Sequence, residues 1–141
     1  LEATMRAPLF ALLLLAAVPL HAQVRDTTPP KLKRPTPVTD SAIARGRALF
    51  HGAANCSACH GVEGVGTDSG APLAQGIWLH GEDSFEGIRS RILHGIPREV
   101  STRGNAMPIR GWSPLDDNEV IDVAAYVWAI SHAWIRPTRK P

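Results

Sequence analysis

The chain has only two cysteines, one tyrosine and three phenylalanines among its 141 residues. Two thiols cannot build the multi-disulfide framework that stabilises many small exported domains. A single domain of ~100 residues also leaves a thin core, of the kind that needs a staple or a bound group for stability. No run alternates apolar and polar residues over the length of a strand, which argues against a sheet. Glycines at 61, 64, 66, 70, 76 and 81 instead break Gly61 to Gly81 into irregular loop. Net charge is only +2, and from Asp40 onward ten basic side chains stand against eleven acidic ones. Such a domain lacks the basic field that nucleic-acid binding requires. The one sustained apolar run, Leu9 to Val18, falls short of the roughly 20 residues needed to span a bilayer.

That run follows Met5-Arg6 and leads into Leu20-His21-Ala22. The order is that of a secretory signal peptide over residues 1–22, with cleavage expected after Ala22 and residues 1–4 read as lying upstream of the start. Export to the periplasm is the expected outcome; an uncleaved segment would instead tether the chain to the membrane. Residues 23–39 carry Arg25, Lys31, Lys33 and Arg34 against Asp26 alone, with prolines at 29, 30, 35 and 37. This composition predicts an extended, flexible basic arm. One domain is expected over 40–134, followed by a short tail, 135–141.

Three helical patterns organise the domain. Thr39-Asp40-Ser41 offers capping oxygens to a helix over 41–51, with Ile43, Arg47 and Phe50 at helical spacing and Gly52 as the stop. Gly46 within it costs about 1 kcal/mol relative to alanine, so another element is expected to cross there without room for a β-carbon. Ser84 to His94 places Phe85, Ile88 and Ile92 on one side before Gly95. In the last pattern Ser113 can cap, Pro114 suits the first position, and Asp116, Asp117 and Glu119 favour the positive end of the helix. Val120, Val123, Ala124 and Val127 then form a stripe widened by Ile121, Ala125 and Trp128. The domain is predicted to be all-α.

Both cysteines fall in Cys56-Ser57-Ala58-Cys59-His60. A redox disulfide of this spacing normally sits in a βαβ context, which is missing here. Zinc needs four converging ligands, and adjacent Cys59 and His60 cannot easily serve one small ion together. C-x-x-C-H is also the attachment motif of c-type haem: two thiols form thioethers, two spacer residues allow the turn, and the histidine ligates iron. An exported chain favours this last reading. The sixth iron position then decides the chemistry. Met107, in the non-helical Asn105-Ala106-Met107-Pro108, is the expected ligand; His51, His80, His94 and His132 are competitors, with His80 or His94 next in line.

With these motifs and the two terminal helices, residues 40 to 132 resemble the class I c-type cytochromes, specifically the small bacterial monohaem ones. The resemblance implies three to four short helices wrapped around one covalent haem c, with the first and last helices crossing through Gly46, Phe50 and Tyr126. It implies that Pro72, in Gly70-Ala71-Pro72-Leu73, offers its carbonyl to the His60 imidazole. It places residues 89–110 on the methionine side of the haem, where Arg89, Arg91, Arg98, Arg103 and Arg110 could steer an acidic redox partner. Trp78 and nearby arginines are candidates for the haem propionates, and Trp112 closes the methionine loop without an assigned contact. The expected function is a one-electron carrier, without a catalytic residue, acting as a monomer or within a complex. The alternatives are an electron-transfer subunit of a larger oxidoreductase and a ligand-binding sensor or enzyme in which Met107 leaves the iron.

Overall fold

The computed structural model describes residues 32–135. The expected signal peptide, residues 23–31 of the arm and residues 136–141 of the tail lie outside them. Four α-helices follow in order: α1 (Asp40–His51), α2 (Ser57–His60), α3 (Phe85–His94) and α4 (Asp117–Ser131), joined by loops and short 3₁₀ turns. Among the described residues there is no strand, only an isolated antiparallel bridge between Ile96 and Met107.

Helix α1 begins where Thr39 Oγ1 accepts from the Ala42 N–H. It buries Ala42, Ile43, Gly46 and Phe50. Arg47 does not join that face; it reaches sideways to Glu63. At Gly46 a β-carbon would lie 2.5 Å from the Asp122 carbonyl carbon and 3.0 Å from Tyr126 Cβ, so α4 passes directly over the glycine, as the pattern predicted. One turn on, the Phe50 and Tyr126 rings meet edge to face at 5.2 Å, a favoured aromatic geometry. Arg45 closes the crossing with a bidentate pair to Asp122 at 2.6 and 2.8 Å.

The start of α4 differs from the expectation. Asp116, rather than Ser113, is the cap: its side chain accepts from the Glu119 N–H while Glu119 Oε2 accepts from the Asp116 N–H, both at 2.9 Å. This reciprocal pair satisfies two donors at once, and a lone serine hydroxyl cannot match it. The buried surface of α4 is also wider than one stripe. From Val120 to Ile130 only Ile121 escapes full burial, because α1, α3 and the turn at Val62–Gly64 all pack against this helix.

The arm is shorter than its composition suggested. Val38 is 1% exposed and belongs to the core, in a proline turn where its N–H donates to the Pro35 carbonyl. Arg34 pairs with Asp40 at 2.5 Å and stacks over Trp134, 5.3 Å from the ring centre. Trp134 in turn lies 5.9 Å from Trp128, so this terminal indole is engaged within the chain. No helix among the described residues is long and apolar enough to cross a membrane.

Candidate haem site

Between α1, α3 and α4 the apolar faces do not close on one another. They leave a cleft lined by Phe50, Ile88, Ile92, Ile96, Val123 and Val127, together with Cys56, His60 and Met107. It merges through shared walls with a larger cleft bounded by Cys59 and the Asn105–Trp112 segment. Concave sites with apolar walls and a few polar groups are the usual form of cofactor sites.

One wall is set by local sequence. After α1, the chain turns through Ala54 and Asn55 into α2, a single helical turn ending at His60. Gly70 lies against Cys59, where a β-carbon would be 2.6 Å from the Cys59 carbonyl oxygen. That close approach brings the following carbonyl onto the histidine: His60 Nδ1 is 2.9 Å from the Ala71 oxygen. A carbonyl can only accept, so Nδ1 carries the proton and Nε2 keeps its lone pair. Burial lowers the His60 pKa, and the Ala71 bond only partly opposes it, so the ring is held neutral, as a metal ligand must be.

The acceptor is therefore Ala71 rather than Pro72. Pro72 acts one step away, because a proline disfavours the helical region for the residue before it and so restricts the Ala71 backbone. Gly66 packs flat on Pro72, with space for no side chain.

A second part of the wall is set by pairing across a loop. Met107 exchanges two 2.9 Å backbone hydrogen bonds with Ile96, just beyond α3. Its side chain packs against the core and lines both clefts. Of the competing imidazoles only His80 lines the cleft, and its Nε2 accepts from the Thr102 N–H at 3.3 Å. His94 faces back to the Ser90 carbonyl, 2.9 Å away. His132 stacks on Trp128 at 4.5 Å, and His51 sits against Phe50 with its ring 3.8 Å from Glu63.

Cys56 and Cys59 are not joined to each other by a disulfide. Cys56 lines both clefts and burial raises its pKa to about 11; Cys59 is exposed at the mouth of the wider cleft. Two polar atoms on the cleft wall are buried without a partner, Trp78 Nε1 and Arg91 Nε. Buried donors without acceptors are costly, and a group bearing carboxylates would satisfy them. An apolar slot, a neutral imidazole, a thioether, two thiols and orphaned donors together fit a haem with its propionates.

Glu63 was not anticipated as part of this region. It adopts a left-handed backbone (φ 57°) in the turn after α2 and is buried. Burial pushes its carboxyl upward, but hydrogen bonds from Arg47 and Tyr126 and the charges of Arg47 and His51 outweigh this and hold it below the ordinary value. The Tyr126 hydroxyl donates to it at 2.7 Å, and burial beside this carboxylate raises the tyrosine pKa. Glu63 thus ties α1, α4 and the segment after His60 together.

The five arginines expected on one docking face divide by role. Arg89 pairs with Glu86 at 3.2 Å, and Arg91 lines the first cleft. Arg110 donates to the Leu115 carbonyl at 2.7 Å and to Asp117 at 2.6 Å, holding the Asp117 carboxyl below its usual range through that bond and its charge. Arg98 and Arg103 are exposed on the wall of the wider cleft.

A sequence model of the cytochrome c family matches residues 43–131. Two solved structures share the fold at 20% identity and a TM-score of 0.52 each. The c-type cytochrome XoxG from Methylobacterium extorquens AM1 matches over 71% of this chain and 57% of its own, so the present chain spans just over half of that protein. Cytochrome CL from the marine methylotroph Methylophaga aminisulfidivorans MPT matches over 82% of this chain and 88% of its own. A search of curated protein sequences gave no match. The match extends from α1 to the end of α4 and encloses the cleft with its C-x-x-C-H segment, and the chain belongs to the cytochrome c family, electron carriers built around a covalently bound haem c.

Proposed function

We propose that this chain is a periplasmic one-electron carrier with Cys56 and Cys59 as the thioether positions and His60 and Met107 as the axial ligands. The observation that carries the reading is that His60, with its proton fixed on Nδ1, and Met107, clamped through its backbone to Ile96, line the same apolar cleft. When bound, the haem supplies an Fe(III)/Fe(II) couple, and thioether ligation raises its potential relative to harder ligands. His60 keeps its lone pair in the cleft because Ala71 accepts its proton, and that bond makes the imidazole a stronger donor. The two backbone bonds to Ile96 fix the Met107 backbone, so its thioether would be offered to the iron from one position. Trp78 and Arg91 would hold the propionates. The apolar side chains of α3 and α4 exclude water from the cleft and favour the less charged reduced state.

The test is spectroscopic. The ferric protein should show the weak near-infrared charge-transfer band of a methionine-ligated haem, and Met107→Ala should abolish it and lower the potential. A wild type that lacks the band and binds carbon monoxide rapidly when reduced would favour a ligand-binding protein instead.

A further inference from the structure

The charges of this chain are sorted along its length. Residues 40–135, which hold the four helices and both clefts, carry seven basic and eleven acidic side chains. Residues 23–39 carry four basic and one acidic, and residues 136–141 carry Arg136, Arg139 and Lys140 with no acid. An acidic body with two basic flanks differs from the interspersed charge that serves solubility alone.

The fold brings the edges of the two flanks together. On the incoming side Val38 is buried in the core and its N–H donates to the Pro35 carbonyl at 3.0 Å, which pins the chain before α1. On the outgoing side Ala133 takes a left-handed backbone (φ 53°) that turns the chain back, and the Trp134 N–H donates to the Ala129 carbonyl at 2.8 Å. Arg34 joins the two sides, its guanidinium 5.3 Å from the Trp134 ring centre and paired with Asp40. Held there, the indole remains 39% exposed, and Lys33 is exposed beside Arg34 in the chain. None of Lys33, Arg34, Trp134 and Ile135 lines either cleft, so a seated cofactor does not cover them. An exposed indole among clustered lysine and arginine is the composition of segments that rest on a bilayer. The ring suits the headgroup region, and the cations meet anionic lipid.

We propose that Trp134, with Lys33 and the Arg136, Arg139 and Lys140 that follow it, binds the headgroups of an anionic lipid bilayer. The proposal is independent of the axial ligands of the haem. Each basic residue close to such a surface strengthens binding about fivefold at low salt. The acidic body is repelled by the same surface, so contact is confined to the flanks and the domain is held by them. Arg34, already paired with Asp40, holds the indole and adds no free charge.

The experiment measures partition of the haem-loaded full chain onto sedimented vesicles, read by haem absorbance. One set contains phosphatidylglycerol in phosphatidylcholine, the other phosphatidylcholine alone. Wild type should bind the anionic vesicles at low salt, leave them as salt rises, and ignore the neutral ones. Arg136→Gln with Arg139→Gln and Lys140→Gln should lower the partition roughly a hundredfold. Those three residues lie beyond Ile135, so the urea midpoint should stay that of wild type and the loss is one of binding, not of fold. Trp134→Ala should lower the partition about fivefold at every salt concentration, and Arg98→Gln with Arg103→Gln, at the cleft, should bind as wild type. Equal binding to both vesicle types would trace the affinity to the apolar residues 9–18 and overturn the proposal. So would no binding to the anionic vesicles at low salt, a triple-variant partition within about twofold of wild type, or loss of binding with the Arg98 and Arg103 pair. A chain that passes the vesicles but is held by immobilised polyglutamate through Arg136, Arg139 and Lys140 would give the surface to an acidic protein instead. The near-infrared methionine band of the same sample reports the axial assignment separately, so the two readings fail apart.

Discussion

At the crossing of α1 and α4 there is no space for one further methyl group, and Gly46, Asp122 and Tyr126 are fixed by contact on every side. Beside the crossing, Phe50, Val123 and Val127 of the same two helices line the haem cleft. The crossing is a finished core of the fold alone, whereas the cleft is a core that only a cofactor completes. A domain this small divides its stability in that way, part intrinsic and part linked to the bound group. Stability at the crossing should therefore respond to packing, and stability at the cleft to whatever keeps His60 and Met107 in place.

Adding bulk at the crossing should produce the largest effect. Gly46→Val would drive a side chain into the Asp122 carbonyl, a backbone group that cannot swing aside. Overpacking usually costs about 1–3 kcal/mol, and this case should lie at or above the upper end. Urea unfolding of the haem-loaded protein measures it. Were the variant within about 0.5 kcal/mol of wild type, the claim that this face is already full would be wrong.

Glu63 sharpens the comparison because it joins the two regions, bonding Tyr126 of the crossing from a turn three residues beyond His60. Glu63→Gln keeps the shape but loses the charge facing Arg47, and should cost about 1–3 kcal/mol at pH 7. Its folded pKa is below the ordinary value. The carboxylate's contribution is therefore complete above the unfolded value of about 4.3, shrinks as pH falls below it, and is gone once pH has passed the folded pKa. Wild type should lose stability over that acid range more steeply than Glu63→Gln. Parallel curves from pH 7 to pH 3 would show that the group does not link the regions.

Helices α1, α3 and α4 were legible in the sequence because each carries an apolar period and an end signal. Gly46 was legible because a mid-helix glycine is costly without a crossing partner. The C-x-x-C-H segment and Met107, which line one cleft, stood out because they are rare residues in a chain with few alternatives. What escaped notice depends on contacts between distant segments. Glu63 lies in a glycine-rich loop without a period, and its partners Arg47 and Tyr126 stand 16 and 63 residues away. The Ile96–Met107 bridge involves one residue on each side and leaves no period. Ser113 reads as the cap and Asp116 only as a favourable charge, although Glu119, three residues after Asp116, already carries the signature of a capping box.

Pro72→Ala should give the smallest effect and tests the cleft side most finely. The proline is not the acceptor for His60, but it restricts the residue that is, and its replacement leaves the Ala71 carbonyl in the chain. Removing a compatible proline should cost about 0.4–1 kcal/mol, chiefly by freeing the unfolded chain. A second consequence is local: with Ala71 free to visit the helical region, its carbonyl should leave the His60 proton more often. Exchange of that ring proton with solvent, followed by NMR in the reduced protein, should quicken, while the methionine band stays unchanged because Ile96 still holds Met107. Unchanged exchange would mean that Gly66 and Gly70, which fix the loop on either side of Ala71, suffice to aim the carbonyl. The histidine wall would then be set by the close approach of backbone to backbone, as the α1–α4 crossing is at Gly46.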